Sequence, residues 1–300
     1  MKSIVVGSVG SSKILLEEML KLNFPVNIVF SLDEQYAKNV SGYVPLHEIA
    51  AKNNIPYKKF KNINDVENIN IIKEINPDYI FVVGLSQLVS KDLIDCAKKG
   101  VVGYHPTNLP KHRGRAPIPW QILLGVRETK CSLFFIDEGV DSGDIIGQEE
   151  YIIEDTDYAA DVSLKSREAF KRLLRKVLPK FMDGSIEPIK QNEDEATYLL
   201  KRTPEDGLID WKEPVEKIHR LIRAVSKPYP GAFSYFDGKH KIIFWKADYL
   251  NNDRYIGIPG QIAKKTNEYI DIVCVDGLLR VYEYENVDNV KIIEGYKFKS

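Results

Sequence analysis

The sequence is poor in cysteine and close to neutral in net charge. Only three of its 300 residues are cysteines, Cys96, Cys131 and Cys274, and none lies in a Cys-x-x-Cys spacing. This scarcity excludes a disulfide framework and a cysteine-based zinc site, and it is typical of proteins from a reducing compartment. The formal net charge is -1, so the molecule as a whole has no electrostatic attraction to nucleic acid or to anionic membranes.

Long apolar runs are also missing. No stretch approaches the roughly 18 consecutive apolar residues of a membrane span. The apolar run at the N-terminus, residues 1–7, is too short for a signal peptide and predicts a β-strand instead. We therefore expect a cytoplasmic protein that has no membrane partner.

The residues that are present predict two domains of different architecture. Through about the first 180 residues, short apolar runs alternate with amphipathic segments, which predicts an α/β fold: a Rossmann-like, mostly parallel sheet with helices on both faces. Short strands and Asp-Gly turns follow Ala232 and predict a smaller β-barrel-like (OB-like) domain. We place the first domain at 1–190, a polar, irregular linker at 191–205 and the second domain at 206–300.

Three segments carry residues suited to chemistry. The turn 7–12, between the first strand and helix, could present backbone N–H groups to a phosphate, but it lacks a known phosphate-binding motif and we favour a tight turn. Residues 103–120 hold His105 at the end of a predicted strand, where parallel sheets place ligands. A histidine there could accept a proton near neutral pH, or it could brace the loop.

The third segment, residues 134–144, holds four carboxylates and two glycines directly after another predicted strand. A carboxylate beside an imidazole would fix its tautomer and favour its protonated form. An acidic, solvated turn is the alternative, and spacing does not separate the two. No His or Cys joins these acids, so we expect no metal site.

The two later segments resemble the signature motifs of the 10-formyltetrahydrofolate-dependent formyltransferases. Residues 105–117, HPTNLPKHRGRAP, are similar to the family loop His-x-Ser-Leu-Leu-Pro-x-x-Arg-Gly-x-x-Pro, and residues 140–144, VDSGD, to its Leu-Asp-x-Gly-Asp motif. Residues 201–211 and 223–234 also resemble the family's C-terminal module. The resemblance covers nearly the whole chain, and it implies an enzyme with 10-formyltetrahydrofolate as co-substrate.

The resemblance also implies roles for individual residues. His105 would be the catalytic histidine and Asp141 its partner, together deprotonating an amine that attacks the formyl carbon. The resemblance also implies one set of residues that binds the folate and another that binds the substrate. The pterin of the folate would lie between two segments, Gly84, Leu85, Ser86, Gln87 and Leu88 on one side and Ile136, Asp137, Gly139, Val140 and Asp141 on the other. The substrate would contact Pro110, Arg113, Gly114 and Arg115, with the two arginines as candidate phosphate ligands or as braces of the loop.

One position departs from the family pattern. The family has an Asn two residues before the catalytic histidine, and that Asn donates to the developing oxyanion. This chain has Gly103 there. Thr107 or Asn108 is a candidate substitute donor. Gly103 also leaves open a catalytically weak protein that binds folate or nucleotide without useful turnover.

Two amine substrates are compatible with this two-domain plan: an amino sugar carried on a nucleotide, and the methionine of charged initiator tRNA. We favour the nucleotide sugar. The loop 113–120 resembles that of the sugar enzymes, and residues 31–40 hold two acids and one lysine where the tRNA enzymes have a basic loop. Residues 206–300 hold 15 Lys and Arg against 14 Asp and Glu, a weak footprint for tRNA. A homodimer is left open.

Overall fold

The computed structural model describes residues 1–38 and 40–300 and divides the chain into two compact units. The first unit comprises Met1–Pro117, Glu128–Ile152 and Leu164–Leu199. The second comprises Ile118–Arg127, Ile153–Ser163 and Leu200–Ser300. Two short pieces that lie between parts of the first unit in the sequence, Ile118–Arg127 and Ile153–Ser163, therefore belong to the second unit.

Within residues 1–38 and 40–199, nine strands belong to the first unit. They are β1 (Ser3–Gly7), β2 (Ile28–Leu32), β3 (Tyr57–Phe60), β4 (Tyr79–Val82), β5 (Gly100–His105), β6 (Arg113–Gly114), β7 (Glu128–Ile136), β8 (Ile145–Ile152) and β9 (Tyr198–Leu199). In the described residues, six α-helices lie among these strands in the sequence. They are α1 (Gly10–Lys21), α2 (Leu46–Lys52), α3 (Val66–Ile75), α4 (Lys91–Ile94), α5 (Pro117–Leu123) and α6 (Ala159–Asp183).

The main sheet of the first unit has the order β3-β2-β1-β4-β5-β7-β8. The pairs from β3 to β5 are parallel, and β7 and β8 add an antiparallel hairpin beside β5. A separate two-stranded parallel sheet joins β6 to β9. The α/β class and the mostly parallel sheet are confirmed, although the sequence analysis did not predict β8.

Helices pack on both faces of the main sheet because successive strand residues point to opposite sides. Ile4 and Val6 of β1 join a buried cluster with Ile69 and Ile72 of α3. On the other face, Phe81 of β4 makes ring contacts with residues that include Phe181 of α6. The apolar side chains of both faces are buried, so this double-sided core rigidly positions the carboxyl ends of β4 and β5.

The second unit is built around an antiparallel sheet of order β12-β13-β14-β11-β10-β15. Its elements are α7 (Val215–Val225), β10 (Ala232–Phe236), β11 (His240–Leu250), β12 (Ile262–Lys265), β13 (Ile270–Val273), β14 (Leu278–Asn286) and β15 (Phe298–Lys299). Trp211 is buried and its ring stacks on Phe298. A register shift between β11 and β14 near Lys246 bends the sheet, consistent with the predicted OB-like domain.

Candidate functional site

His105 ends β5 and is almost fully buried, with 5% of its surface exposed. Its Nε2 lies 2.8 Å from the backbone carbonyl oxygen of His112. A carbonyl only accepts, so Nε2 carries the proton and the neutral ring has its lone pair at Nδ1. Nδ1 in turn lies 3.6 Å from Oδ2 of Asp141. The structure thus brings the predicted histidine and aspartate together, with the basic ring nitrogen next to the carboxylate.

Asp141 is held in an uncommon backbone conformation, with φ of +51°. Its Oδ2 accepts a hydrogen bond of 2.8 Å from the backbone N–H of Gly114. That bond ties the acidic loop after β7 (residues 137–144) to the proline-rich segment after β5 (residues 106–117). The same carboxylate oxygen, Oδ2, therefore has both a fixed backbone donor and the imidazole beside it.

Gly103 faces a space that neighbouring side chains already fill. A Cβ atom built on it would lie 2.9 Å from Cζ of Phe134 and 2.9 Å from Cγ1 of Ile136. Phe134 is the cross-strand partner of Gly103 in the β5–β7 pair. The Phe134 ring thus stands where any side chain at position 103 would begin.

The two candidate substitute donors are differently placed. Thr107 is fully buried, and its hydroxyl points at the carbonyl oxygens of Lys111 and His112, at 3.1 and 3.2 Å. Its one proton is used inside the loop, so Thr107 is not available to an oxyanion, and that hypothesis is corrected. Asn108 lines a cavity of about 380 Å³ with residues of β7 and β8, including Thr129 and Tyr151.

The two predicted folate segments lie close to each other. Leu85 and Ile136 pack against the same buried cluster, and Lys91 at the start of α4 forms an ion pair of 2.6 Å with Glu138. Within these segments Leu88 and Val140 are the exposed apolar side chains.

Several polar groups of the same segments are committed to local structure. The Gln87 side chain donates to the carbonyl of Lys61 and accepts from the N–H of Ile63. Asp137 accepts from the N–H of Gly139 and from the hydroxyl of Ser142. These two side chains are therefore committed to the structure of the loops themselves.

Gly84, which opens the first segment, has φ of +64° and packs tightly on the turn that follows β1. In that turn the Ser12 hydroxyl accepts from the backbone N–H groups of Ser8 and Val9. These two amides are therefore not available to a phosphate, in agreement with the tight turn that we favoured for residues 7–12.

Arg113, one of the predicted substrate contacts, is held inside the protein by other side chains. Its side chain is fully buried, and all five of its N–H donors are used: two reach Oε1 of Gln191, two reach the carboxylate of Glu193 and one reaches the Tyr198 hydroxyl. The guanidinium lowers the pKa of the Glu193 carboxyl. With no donor left for a phosphate, Arg113 braces the loop, which was the alternative reading.

The remaining predicted substrate residues line the same loop. Arg115 is exposed, and within residues 1–38 and 40–300 its guanidinium makes no hydrogen bond or ion pair. Gly114 has φ of +102°, and a Cβ there would lie 2.5 Å from the Leu199 carbonyl oxygen, so only glycine fits. The Pro110 carbonyl faces the N–H of Thr197 at 3.4 Å.

Two buried cysteines and the metal-binding side chains are the other candidate parts of a site. Burial raises the pKa of the Cys131 and Cys274 thiols to about 12, so neither is a thiolate near neutral pH. In the described part of the chain, no group of three or more His, Cys, Asp or Glu side chains is arranged to hold a metal ion. Nor is any helix there long and apolar enough to cross a membrane.

Family models and solved structures agree with this architecture. The model described as formyl transferase matches residues 1–178, and the model described as formyl transferase, C-terminal domain, matches residues 201–297. The chain belongs to the formyl transferase family and is a formyl-transferring enzyme.

Three solved structures illustrate the fold similarity. The N-formyltransferase from Helicobacter canadensis, in complex with folinic acid and dTDP-3-aminofucose, has a TM-score of 0.69 and 23% identity over 95% of this chain and 99% of that one. The methionyl-tRNA formyltransferase from Clostridium thermocellum has a TM-score of 0.60 and 23% identity over 92% of this chain and 100% of that one. HypX from Aquifex aeolicus has a TM-score of 0.69 and 18% identity over 96% of this chain, which spans 45% of HypX.

Proposed function

We propose that this enzyme transfers the formyl group of 10-formyltetrahydrofolate to the amine of a nucleotide-linked amino sugar. The observation that carries the proposal is the His105–Asp141 pair at the carboxyl end of β5, with Nε2 facing the His112 carbonyl and Nδ1 3.6 Å from Oδ2. A structural relative that holds a folate and a dTDP-amino sugar supports both substrates.

The proposed reaction moves one proton through His105. The amine nitrogen attacks the formyl carbon and forms the new N–C bond while Nδ1 of His105 takes the amine proton. Asp141 stabilises the positive charge on the imidazolium. The bond from the formyl carbon to N10 then breaks and the imidazolium returns the proton to N10, which leaves tetrahydrofolate and an N-formylated sugar.

The segments predicted to bind the folate and the substrate keep the roles that the resemblance implied, with one change at the two arginines. We propose that residues 84–88 and 136–141 hold the pterin through backbone groups, and that exposed Arg115 is the phosphate ligand of the loop now that Arg113 is not. An Arg guanidinium suits phosphate geometry. We also propose that residues 1–190 form the catalytic domain and 206–300 a C-terminal domain.

A nucleotide sugar is favoured over tRNA because several clustered basic side chains of this chain are paired with acids. Lys59, in the strand next to β2, forms an ion pair with Glu34 in the region where a tRNA enzyme needs a basic loop. On α6, Arg172 and Lys176 both pair with Glu149, and Arg175 pairs with buried Glu18. Paired cations release few counterions on binding a polyanion.

The test is to follow tetrahydrofolate formation from 10-formyltetrahydrofolate with purified protein. The amine panel is a set of UDP- and dTDP-linked amino sugars, with charged initiator methionyl-tRNA alongside and His105→Ala as the control. We expect turnover on one of the sugars and its loss in the variant. Turnover on the tRNA alone would refute the sugar substrate and leave the chemistry intact.

A binding protein without turnover is the second candidate, and it is favoured by one observation: Phe134 fills the space beside Gly103 where the family's oxyanion donor stands. Such a protein would bind the folate and release no tetrahydrofolate with any amine of the panel. Measured binding of folate without turnover would therefore select this candidate.

A further inference from the structure

Residues 191–199, here called the return segment, run beside the loop that carries the substrate residues. The N–H of Arg113 donates to the carbonyl of Thr197 at 2.9 Å, and the N–H of Arg115 donates to the carbonyl of Leu199 at 2.9 Å. The N–H of His112 donates to the Thr197 hydroxyl at 2.8 Å. This is the parallel β6–β9 pair, extended by one side-chain bond.

The return segment also reaches the acidic loop through Gln191, which is buried. Its Oε1 accepts from Nε and from one terminal nitrogen of Arg113, at 3.1 and 2.9 Å. Its Nε2 donates to the backbone carbonyls of Asp141 and Gly143, at 2.8 and 2.7 Å. Because Arg only donates and carbonyls only accept, these partners define which end of the amide is oxygen.

Both attachments of Asp141 therefore depend on the return segment. Its carbonyl is held by Gln191 directly, and its carboxylate is held by the N–H of Gly114, which lies on the strand paired with β9. The left-handed backbone at Asp141 persists only where its surroundings determine it. The return segment, which supplies these attachments, lies between the two ranges matched by the family models, 1–178 and 201–297.

We infer that Gln191 is a positioning residue for formyl transfer, which sets the Asp141 carboxylate against Nδ1 of His105 by coupling the acidic loop to the buried Arg113 guanidinium. The inference rests on the proposed function, because it assigns Asp141 a part in the transfer step. A group that orients a catalytic ligand or partner is worth about 10- to 100-fold in activity. A misplacement of about 1 Å can cost on the order of 100-fold in rate.

Gln191→Glu separates this role from a bracing role. Glutamate keeps the acceptor oxygen that takes both bonds from the Arg113 guanidinium but has no donor for the carbonyls of Asp141 and Gly143. We expect kcat to fall about 10- to 100-fold while KM for the formyl donor and the amine stays within about threefold. Glu195→Gln is the matched control, because Glu195 is an exposed residue of the same return segment and accepts from Asn192 rather than from Arg113.

Two further readouts distinguish positioning from lost folding. The first is the thermal midpoint of Gln191→Glu, which we expect to fall too little to reduce the folded fraction at the assay temperature. The second is NMR: the ¹⁵N shifts of the His105 ring and the amide shifts of Gly114 and Asp141 should move in Gln191→Glu and stay in place in Glu195→Gln. Loss of activity that merely follows loss of folded protein would overturn the inference.

Two further outcomes test the positioning role and the proposed function separately. Wild-type turnover with kcat of Gln191→Glu equal to that of Glu195→Gln would refute the positioning role and leave the proposed function standing. A wild type that transfers formyl to no amine of the panel would refute the proposed function. The NMR shifts would then decide alone whether Gln191 positions Asp141: unchanged shifts overturn the inference, and moved shifts support it.

Discussion

At the scale of single residues, the two ring nitrogens of His105 have different surroundings. Nε2 donates to a backbone carbonyl, whereas Nδ1 is left as the acceptor beside Asp141. The carboxylate therefore acts on the nitrogen that would receive the amine proton. Under the proposed mechanism, an aspartate from a distant loop therefore acts on a histidine whose tautomer is already set by the backbone.

Asp141→Asn should lower kcat by at least about 100-fold, because the amide keeps an acceptor for the Gly114 N–H but carries no charge to stabilise an imidazolium. KM for the formyl donor should change little. Steady-state kinetics on the accepted amine checks this. Glu138→Gln removes an exposed carboxylate of the same loop and should leave kcat near the wild-type value; equal losses in both variants would contradict a specific role for Asp141.

His219 gives a prediction about stability and pH. It is buried against the Tyr249 ring, and burial lowers its pKa to about 4. The unfolded chain therefore takes up a proton near pH 6.5 while the folded chain resists it down to about pH 4. Stability is complete above pH 6.5 and falls as the pH drops through this window, by up to about 3 kcal/mol from this group.

Urea unfolding at pH 7.5 and pH 5 measures this loss. His219→Gln has no ring to protonate, so it should lose less stability than the wild type between the two pH values. An identical loss in both proteins would show that other groups account for the acid sensitivity.

At the scale of elements, the β5–β7 pair determines what position 103 can hold. Strand pairing sets Gly103 opposite Phe134, and the aromatic ring covers the glycine. Packing therefore requires a glycine at position 103. The same glycine is also the reason that the family's oxyanion donor is missing there. The same packing requirement holds for Gly114, where the close approach of β9 leaves no room for a Cβ atom.

Gly103→Ala should destabilise the protein by about 1–3 kcal/mol, because the new methyl group overlaps the Phe134 ring and Ile136. Phe134→Leu alone is also destabilising, but in the Gly103→Ala background it should cost less, since it makes room for the methyl group. A double-mutant cycle by urea unfolding measures the coupling. Additive effects would contradict the overlap.

At the scale of the whole molecule, opposite charges are evenly matched in number, and several of the cations are paired with acids. The net charge is -1. The helix α6 is rich in lysine and arginine, yet Lys171, Arg172, Arg175 and Lys176 all pair with acids. Such a surface attracts a polyanion weakly, which bears on the choice between the two amine substrates.

We expect the affinity for initiator tRNA to be low and its dependence on salt to be shallow. If fewer than about three phosphates are neutralised, the slope of log K against log salt concentration should be less steep than about -3. Fluorescence anisotropy with labelled tRNA between 50 and 200 mM salt gives the slope. A steep slope together with tight binding would favour the tRNA enzyme.

The local sequence predicted much of the fold and the centre of the site. Alternating apolar runs and amphipathic segments predicted the parallel sheet because burial on two faces imposes that pattern. The motifs at 105–117 and 140–144 identified the residues that the structure places as the His105–Asp141 pair. The roles of the folate and substrate residues remain predictions.

Tertiary structure decided what depends on contacts between distant parts of the chain. Nothing local in the sequence shows that Arg113 is consumed by Gln191, Glu193 and Tyr198, about 80 residues away, or that Phe134 closes the space at Gly103. Residues 191–199 look like a polar linker because strand pairing and hydrogen bonds to a remote loop leave no periodic pattern. The sequence by itself determined which groups are present for chemistry, and packing determined which of them are free to act.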